Sequence, residues 1–163
     1  MQIIKIFNNN VLLAEDSQED EVIVMGRGIG FQKKSGETVD LEKIEKLFVL
    51  KENNDLLPTI YDDMSNEEIE LVLDIIKLAE ATLDVSFQSN LYITLADHLH
   101  FAIERHKQGL SLQNPLSWQI KKLYRPEYAV GQKALEIIEN KIGVRLSEEE
   151  AASIALHLIN AQK

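Results

Sequence analysis

The apolar period changes once along this chain, near residue 55, and no single uniform architecture satisfies both periods. Before that point come short runs of the strand kind: Ile3–Phe7, Val11–Ala14 and Glu21–Met25. The triplet Asn8-Asn9-Asn10, tolerant of left-handed dihedrals, separates the first two, and the acidic polar segment 15–20 separates the next. A glycine segment then bends the chain, and Gly30–Lys33 is expected to pair again. Ser35-Gly36-Glu37 is a turn, Asp40–Lys46 has one or two helical turns, and Leu47–Leu50 is a last β-prone run. Short antiparallel strands of this total length make a thin sheet with little interior, so a homodimer through the sheet is expected.

Lys51–Thr59, with Asn53-Asn54 and Pro58, reads as a linker. Helical periodicity follows. Ser65-Asn66-Glu67-Glu68 is a capping box opening a helix to about Leu83, with Ile69, Val72, Leu73, Ile76 and Ala79 on one stripe. A second helix runs from about Ser89 to Lys107 and meets Gly109 as its C-terminal stop. Asn114-Pro115 reads as a cap with proline at the first helical position, starting a third helix through Trp118 and Leu123. A fourth spans about Glu127–Lys141 and stops near Gly143; a second capping box, Ser147 to Glu150, starts a fifth. The expected fold class is α+β: a small antiparallel sheet domain over residues 1–55, a linker to about 60, and an all-α five-helix bundle over 61–163.

Composition narrows the function classes. The net charge of −10 argues against indiscriminate nucleic-acid coating. Residues 1–51 carry seven Lys/Arg against nine Asp/Glu, a balance of −2, and residues 52–163 carry ten against eighteen, a balance of −8. In the first part the acids cluster between Glu15 and Glu21, leaving Lys5, Arg27, Lys33 and Lys34 free to form a basic face elsewhere. Absence of cysteine excludes disulfides and thiolate metal sites. The N-terminal apolar run is too short for a signal peptide, and no stretch is long enough for membrane insertion, so a cytoplasmic protein is expected.

Chemistry concentrates in Val22–Lys34. An apolar strand runs into glycines at alternate positions (Gly26, Gly28, Gly30), with Arg27 between the first two and Phe31, Gln32, Lys33 and Lys34 following. Such a backbone beside a ring, a guanidinium, an amide and two ammonium groups suits a nucleic-acid backbone and unstacked bases. Asn10 could bond base edges, Arg27 pair with phosphate or stack, and Phe31 stack on a base. A plain glycine-rich turn with surface lysines is the competing reading. The spacing is not that of a dinucleotide-binding fingerprint.

Four histidines exist, three of them on the second helix: His98, His100 and His106. Tyr92, Leu95, Leu99 and Ile103 define the buried stripe there, with His98 and His100 on opposite shoulders. Arg105 falls on the same side as His98, and His157 lies beside the apolar stripe of the fifth helix. By spacing alone His98 and His157 are ordinary interface histidines or acceptors of a phosphoryl group. No zinc-ligand spacing, catalytic triad or paired-carboxylate arrangement stands out, so no metal, cofactor or enzymatic site is expected.

Together the halves resemble a known family. Asn8-Asn9-Asn10, Val24-Met25-Gly26-Arg27-Gly28, Gly30-Phe31-Gln32-Lys33-Lys34-Ser35-Gly36 and Ile44-Glu45-Lys46 are similar to the co-antiterminator RNA-binding domain of BglG/SacY/LicT-type transcription antiterminators. Leu95-Ala96-Asp97-His98, Phe101-Ala102-Ile103-Glu104-Arg105 and Ile154 to Ala161 are similar to their first regulation domain, controlled by the sugar phosphotransferase system (PTS). The resemblance implies a dimer that binds a leader RNA hairpin and prevents terminator formation. It implies RNA contacts at Lys5, Asn10, Gly26, Arg27, Phe31 and Gln32, and phosphorylation of His98 and His157 by the sugar permease (enzyme II). The chain ends where a second regulation domain, the target of the phosphocarrier HPr, would begin, which reads as truncation. A phosphohistidine carrier of the same system is the alternative, and a DNA-binding activator a weaker one.

Overall fold

The computed structural model describes residues 1–50, 61–110 and 113–163; the expected linker Lys51–Thr59 lies outside them. Two compact units emerge, Met1–Glu70 and Leu71–Lys163. The first therefore carries ten residues that the sequence reading had assigned to the helical domain.

In the first unit β1 (Gln2–Asn8), β2 (Val11–Glu15), β3 (Glu21–Met25) and β4 (Lys46–Val49) form one antiparallel sheet in chain order. The register Leu12↔Val24 and Ala14↔Val22 places alternate residues on one side, where Ile3, Ile29 and Val39 complete an apolar cluster. Val11, Leu13, Ile23, Met25 and Phe48, on the opposite side, are buried as well.

Gly30–Lys33 does not pair as a strand. It forms consecutive turns, with Phe31 N–H donating to Gly28 O at 3.1 Å, Lys33 N–H to Gly30 O at 3.2 Å, and Gln32 at φ 56°. The β1 edge is instead covered by residues 36–39: Ile3 N–H donates to Glu37 O at 2.8 Å and Val39 N–H to Met1 O at 3.0 Å. A short 3₁₀ turn, Leu41–Lys43, is all that forms of the helix expected over Asp40–Lys46.

The helices among the described residues are α1 (Asn66–Leu83), α2 (Leu91–Lys107), α3 (Ser117–Leu123), α4 (Arg125–Ile142) and α5 (Glu148–Ala161). Ser65 Oγ accepts the Glu68 N–H at 3.2 Å, half of the expected capping box. On α2 the buried stripe is Leu91, Leu95, Leu99, Ala102 and Ile103, with Tyr92 only half-buried. Leu110 N–H returns to Arg105 O and Gly109 N–H to His106 O, the paired bonds that end α2 at a left-handed residue. Asn114-Pro115 precedes α3 rather than opening it: Asn114 Oδ1 accepts the Leu116 N–H at 2.9 Å, which makes a turn. Ser147 makes no side-chain cap to α5. In the second unit α5 packs along α4 and against α2 and α3. No helix among the described residues is long and apolar enough to cross a membrane.

Candidate nucleic-acid interface and histidine pair

At one end of β2 the Asn triplet is built by its own side chains. Asn8 Oδ1 accepts the N–H groups of Asn10 (2.8 Å) and Val11 (3.1 Å), closing the hairpin. This turn then receives the alternate glycines. Gly26 N–H donates to Asn10 O (3.0 Å), Gly28 N–H to Asn10 Oδ1 (2.9 Å) and Gly30 N–H to Asn9 O (2.8 Å). The alternation seen in sequence is thus a ladder of backbone donors tied to a neighbouring turn.

All three glycines are required: a Cβ at Gly30 would collide with the carbonyl oxygen of Asn8, one at Gly26 with that of Lys43, and Gly28 sits at φ 77°. Arg27 is held between Gly26 and Gly28 by its backbone N–H, which donates to Glu45 Oε2 at 2.9 Å, leaving its guanidinium outward. Lys5, Arg27, Phe31 and Gln32 are exposed, Phe31 at 54%. Gly26 is buried and can act only through the backbone it permits. Asn10 is 2% exposed, and both ends of its carboxamide are already bonded, Oδ1 to Gly28 N–H and Nδ2 to Asn66 O at 2.8 Å. In this conformation its side chain builds the turn instead of offering a free base-edge contact. The acidic loop organises itself at the far end of β2, where Asp16 Oδ1 accepts the N–H groups of Gln18 and Asp20. A basic face and an acidic loop therefore coexist in one small sheet.

The histidines converge in the second unit. His98 on α2 and His157 on α5 stand with ring centroids 4.9 Å apart. His98 Nε2 lies 2.8 Å from Glu150 Oε2, and Arg105 Nη2 lies 3.5 Å from Glu150 Oε1. Glu150 is buried; burial alone would raise its pKa, but the bond and charge of His98, with Arg105, outweigh that and hold it below the ordinary carboxylate value. Burial first, and the neighbouring His98 second, lower the pKa of His157, against the weaker opposing pull of Asp97 and Glu150. A neutral imidazole carries a lone pair that can accept a phosphoryl group. On His98, Nε2 is engaged with the carboxylate, which leaves Nδ1 as the open ring nitrogen.

Sequence reasoning placed Arg105 beside His98 but treated Glu150 as a helix-end acid. The missing signal was that a capping-box glutamate must turn back on Ser147, whereas Glu150 is drawn to His98 and Arg105 on another helix. His100 stacks edge-on to Phe101 at 5.7 Å, and His106, exposed, lines a small cavity with Arg105 and Glu150.

Residues 1–56 match the CAT RNA binding domain family and residues 73–161 the PRD domain family. The chain is similar to the beta-glucoside operon antiterminator of Dickeya chrysanthemi, at 48% identity over 99% of this chain and 58% of that relative. It is similar also to the transcription antiterminator LicT of Bacillus subtilis (strain 168), at 43% identity over 99% of this chain and 59% of that protein. It thus spans a little under three fifths of these relatives' length. Among solved structures, that of GlcT CAT-PRDI has a TM-score of 0.84 at 31% identity, covering 98% of this chain and 96% of that one.

Proposed function

The chain belongs to the family of transcription antiterminators that join a CAT RNA-binding domain to a PRD domain, and from that premise we propose that it is a sugar-responsive antiterminator. It binds a leader RNA hairpin as a dimer in the cytoplasm and keeps the overlapping terminator from forming. Residues 1–55 supply the RNA contacts through Lys5, Arg27, Phe31 and Gln32, on a loop framed by Gly26 and Asn10. Residues 61–163 supply the control. The observation that carries the reading is the ladder of Gly26, Gly28 and Gly30 on the Asn turn, which holds Arg27 and Phe31 outward on a rigid base.

His98 and His157 receive phosphate from the sugar permease and retain it, as a regulator does and a carrier does not. A phosphoryl group adds up to about two negative charges next to buried Glu150. The added charge repels the Glu150 carboxylate, and Arg105, which now contacts Glu150 at 3.5 Å, is a cation that the phosphate can draw away, so the seam between α2 and α5 rearranges.

A gel shift with the imperfect stem-loop from the leader beside this chain's gene tests the RNA assignment. An Arg27→Ala, Phe31→Ala double variant that stays folded and keeps full affinity would refute it. Labelled phosphate that reaches His98 or His157 and then leaves for a sugar or protein acceptor would favour the carrier instead.

A further inference from the structure

Five donors on the Lys5–Asn10–Arg27 side of this face are engaged by one short segment, residues 61–70. Lys5 Nζ meets Asp62 Oδ1 at 2.9 Å. Asn8 Nδ2 donates to Met64 O at 3.2 Å, Asn9 N–H to Asn66 Oδ1 at 2.7 Å and Asn10 Nδ2 to Asn66 O at 2.8 Å. Arg27 Nε lies 3.7 Å from Glu70 Oε1. All of these contacts fall inside the first compact unit. The segment belongs to neither matched domain family, since one match ends at residue 56 and the other begins at 73.

We propose that residues 61–70 are a built-in competitor for RNA, an acidic strap seated on the Lys5–Asn10–Arg27 part of the binding face. The proposal rests on the RNA-binding reading above and names the regulation of that same site. The strap presents the acceptors that a hairpin would present: carboxylates toward the two cations, and amide and carbonyl oxygens toward the asparagine donors. It carries Asp62, Asp63, Glu67, Glu68 and Glu70 and no cation, so its charge is that of a short stretch of phosphates. Its ion pairs are half-exposed, a class of contact that is weak and readily exchanged.

The strap does not cover the whole face. Phe31 and Gln32 remain exposed, so an RNA base can stack on Phe31 before the strap is displaced from Lys5 and Arg27. Asn66 and Glu70 are the first and fifth residues of α1, so the strap cannot leave the face without displacing the start of that helix. A ligand or modification that moves α1 therefore changes how readily the RNA face is uncovered.

The test compares three full-length chains: the parent, Asp62→Ala/Asn66→Ala/Glu70→Ala, and Asp63→Ala/Glu67→Ala. The last removes the same two charges from the same segment without touching the strap contacts. With the leader stem-loop at fixed salt, the first variant binds about tenfold tighter than the parent, the sum of two exposed ion pairs and a hydrogen bond, and the second changes affinity less than about twofold. Without RNA, amide hydrogen exchange at Asn9 speeds up in the first variant only. Equal tightening in both variants would show a net-charge effect and overturn the strap. So would unchanged affinity in the first variant, or unchanged exchange at Asn9. If exchange at Asn9 speeds up yet neither parent nor variants bind the stem-loop, it is the RNA-binding reading that has failed, and the competition with it.

Discussion

His98 and Glu150, on different helices, share a 2.8 Å contact that fixes the seam between α2 and α5, and Arg105 secures the other carboxylate oxygen. Replacing Glu150 with Gln keeps the shape and removes the charge facing His98 and Arg105. The loss of charge-assisted bonds at a buried position costs about 2 kcal/mol of stability, read as a lower urea midpoint with unchanged slope. Glu150→Ala costs more, because it also leaves a cavity. A midpoint unchanged in Glu150→Gln would mean that the triad is not a stabilising contact.

The two shifted groups in this cluster also set a pH dependence. His157 has its pKa lowered below the ordinary 6.5, so the folded state disfavours its charged form. Its contribution is fully present above pH 6.5 and is lost as pH falls from there through the depressed folded value. Glu150, also depressed, contributes fully above the ordinary carboxylate range and loses its share only in more acidic solution. Urea midpoints of the parent therefore fall in two separated steps on acidification. The higher-pH step disappears in His157→Gln, and an NMR titration of the His157 ring places its pKa below 6.5. A His157 that titrates at or above 6.5 would contradict the buried, His98-facing environment.

The periodic elements were legible in sequence because their cause is local. Strands at 3–7, 11–14 and 21–25 and the order of the helices follow from where apolar residues recur, and the structure places them within a few residues of those limits. Gly30–Lys33 was misjudged because its partner is the Asn turn some twenty residues earlier, a long-range bond that periodicity does not encode. Asn10 looked like a free amide for the same reason; its carboxamide is consumed by Gly28 and Asn66, both far along the chain from it. Glu150 and the strap acids were hidden differently. An acid at a helix start has a sufficient local explanation in the helix dipole, so nothing in the sequence demands a second role for Glu150, and surface acids such as Asp62 and Glu70 are explained by solvation alone.

Gly26 and Gly28 separate steric from dihedral demands. Gly26→Ala pushes a methyl into the Lys43 carbonyl, and both are backbone-anchored, so the loop must move; about 2 to 3 kcal/mol is lost. Gly28→Ala meets open space but must hold φ 77°, which costs about 1 kcal/mol. Chemical denaturation ranks the two. RNA affinity follows the same order, because displacing Gly26 also displaces the Arg27 backbone from Glu45.

Salt distinguishes the two kinds of contact expected of the exposed face. Arg27 contributes through charge, so Arg27→Ala lowers hairpin affinity and reduces the slope of log affinity against log salt by about 1, as one phosphate contact does. Phe31 contributes through stacking. Phe31→Ala therefore loses about 1 to 3 kcal/mol of binding while leaving the salt slope unchanged. Phe31 is exposed, so Phe31→Ala keeps its denaturation midpoint within about 0.5 kcal/mol of the parent, while Arg27→Ala also gives up its half-exposed contact with Glu70, worth up to about 1 kcal/mol. Filter binding across a series of salt concentrations separates the cases. A flat slope change for Arg27→Ala, or a reduced slope for Phe31→Ala, would reassign the residue concerned.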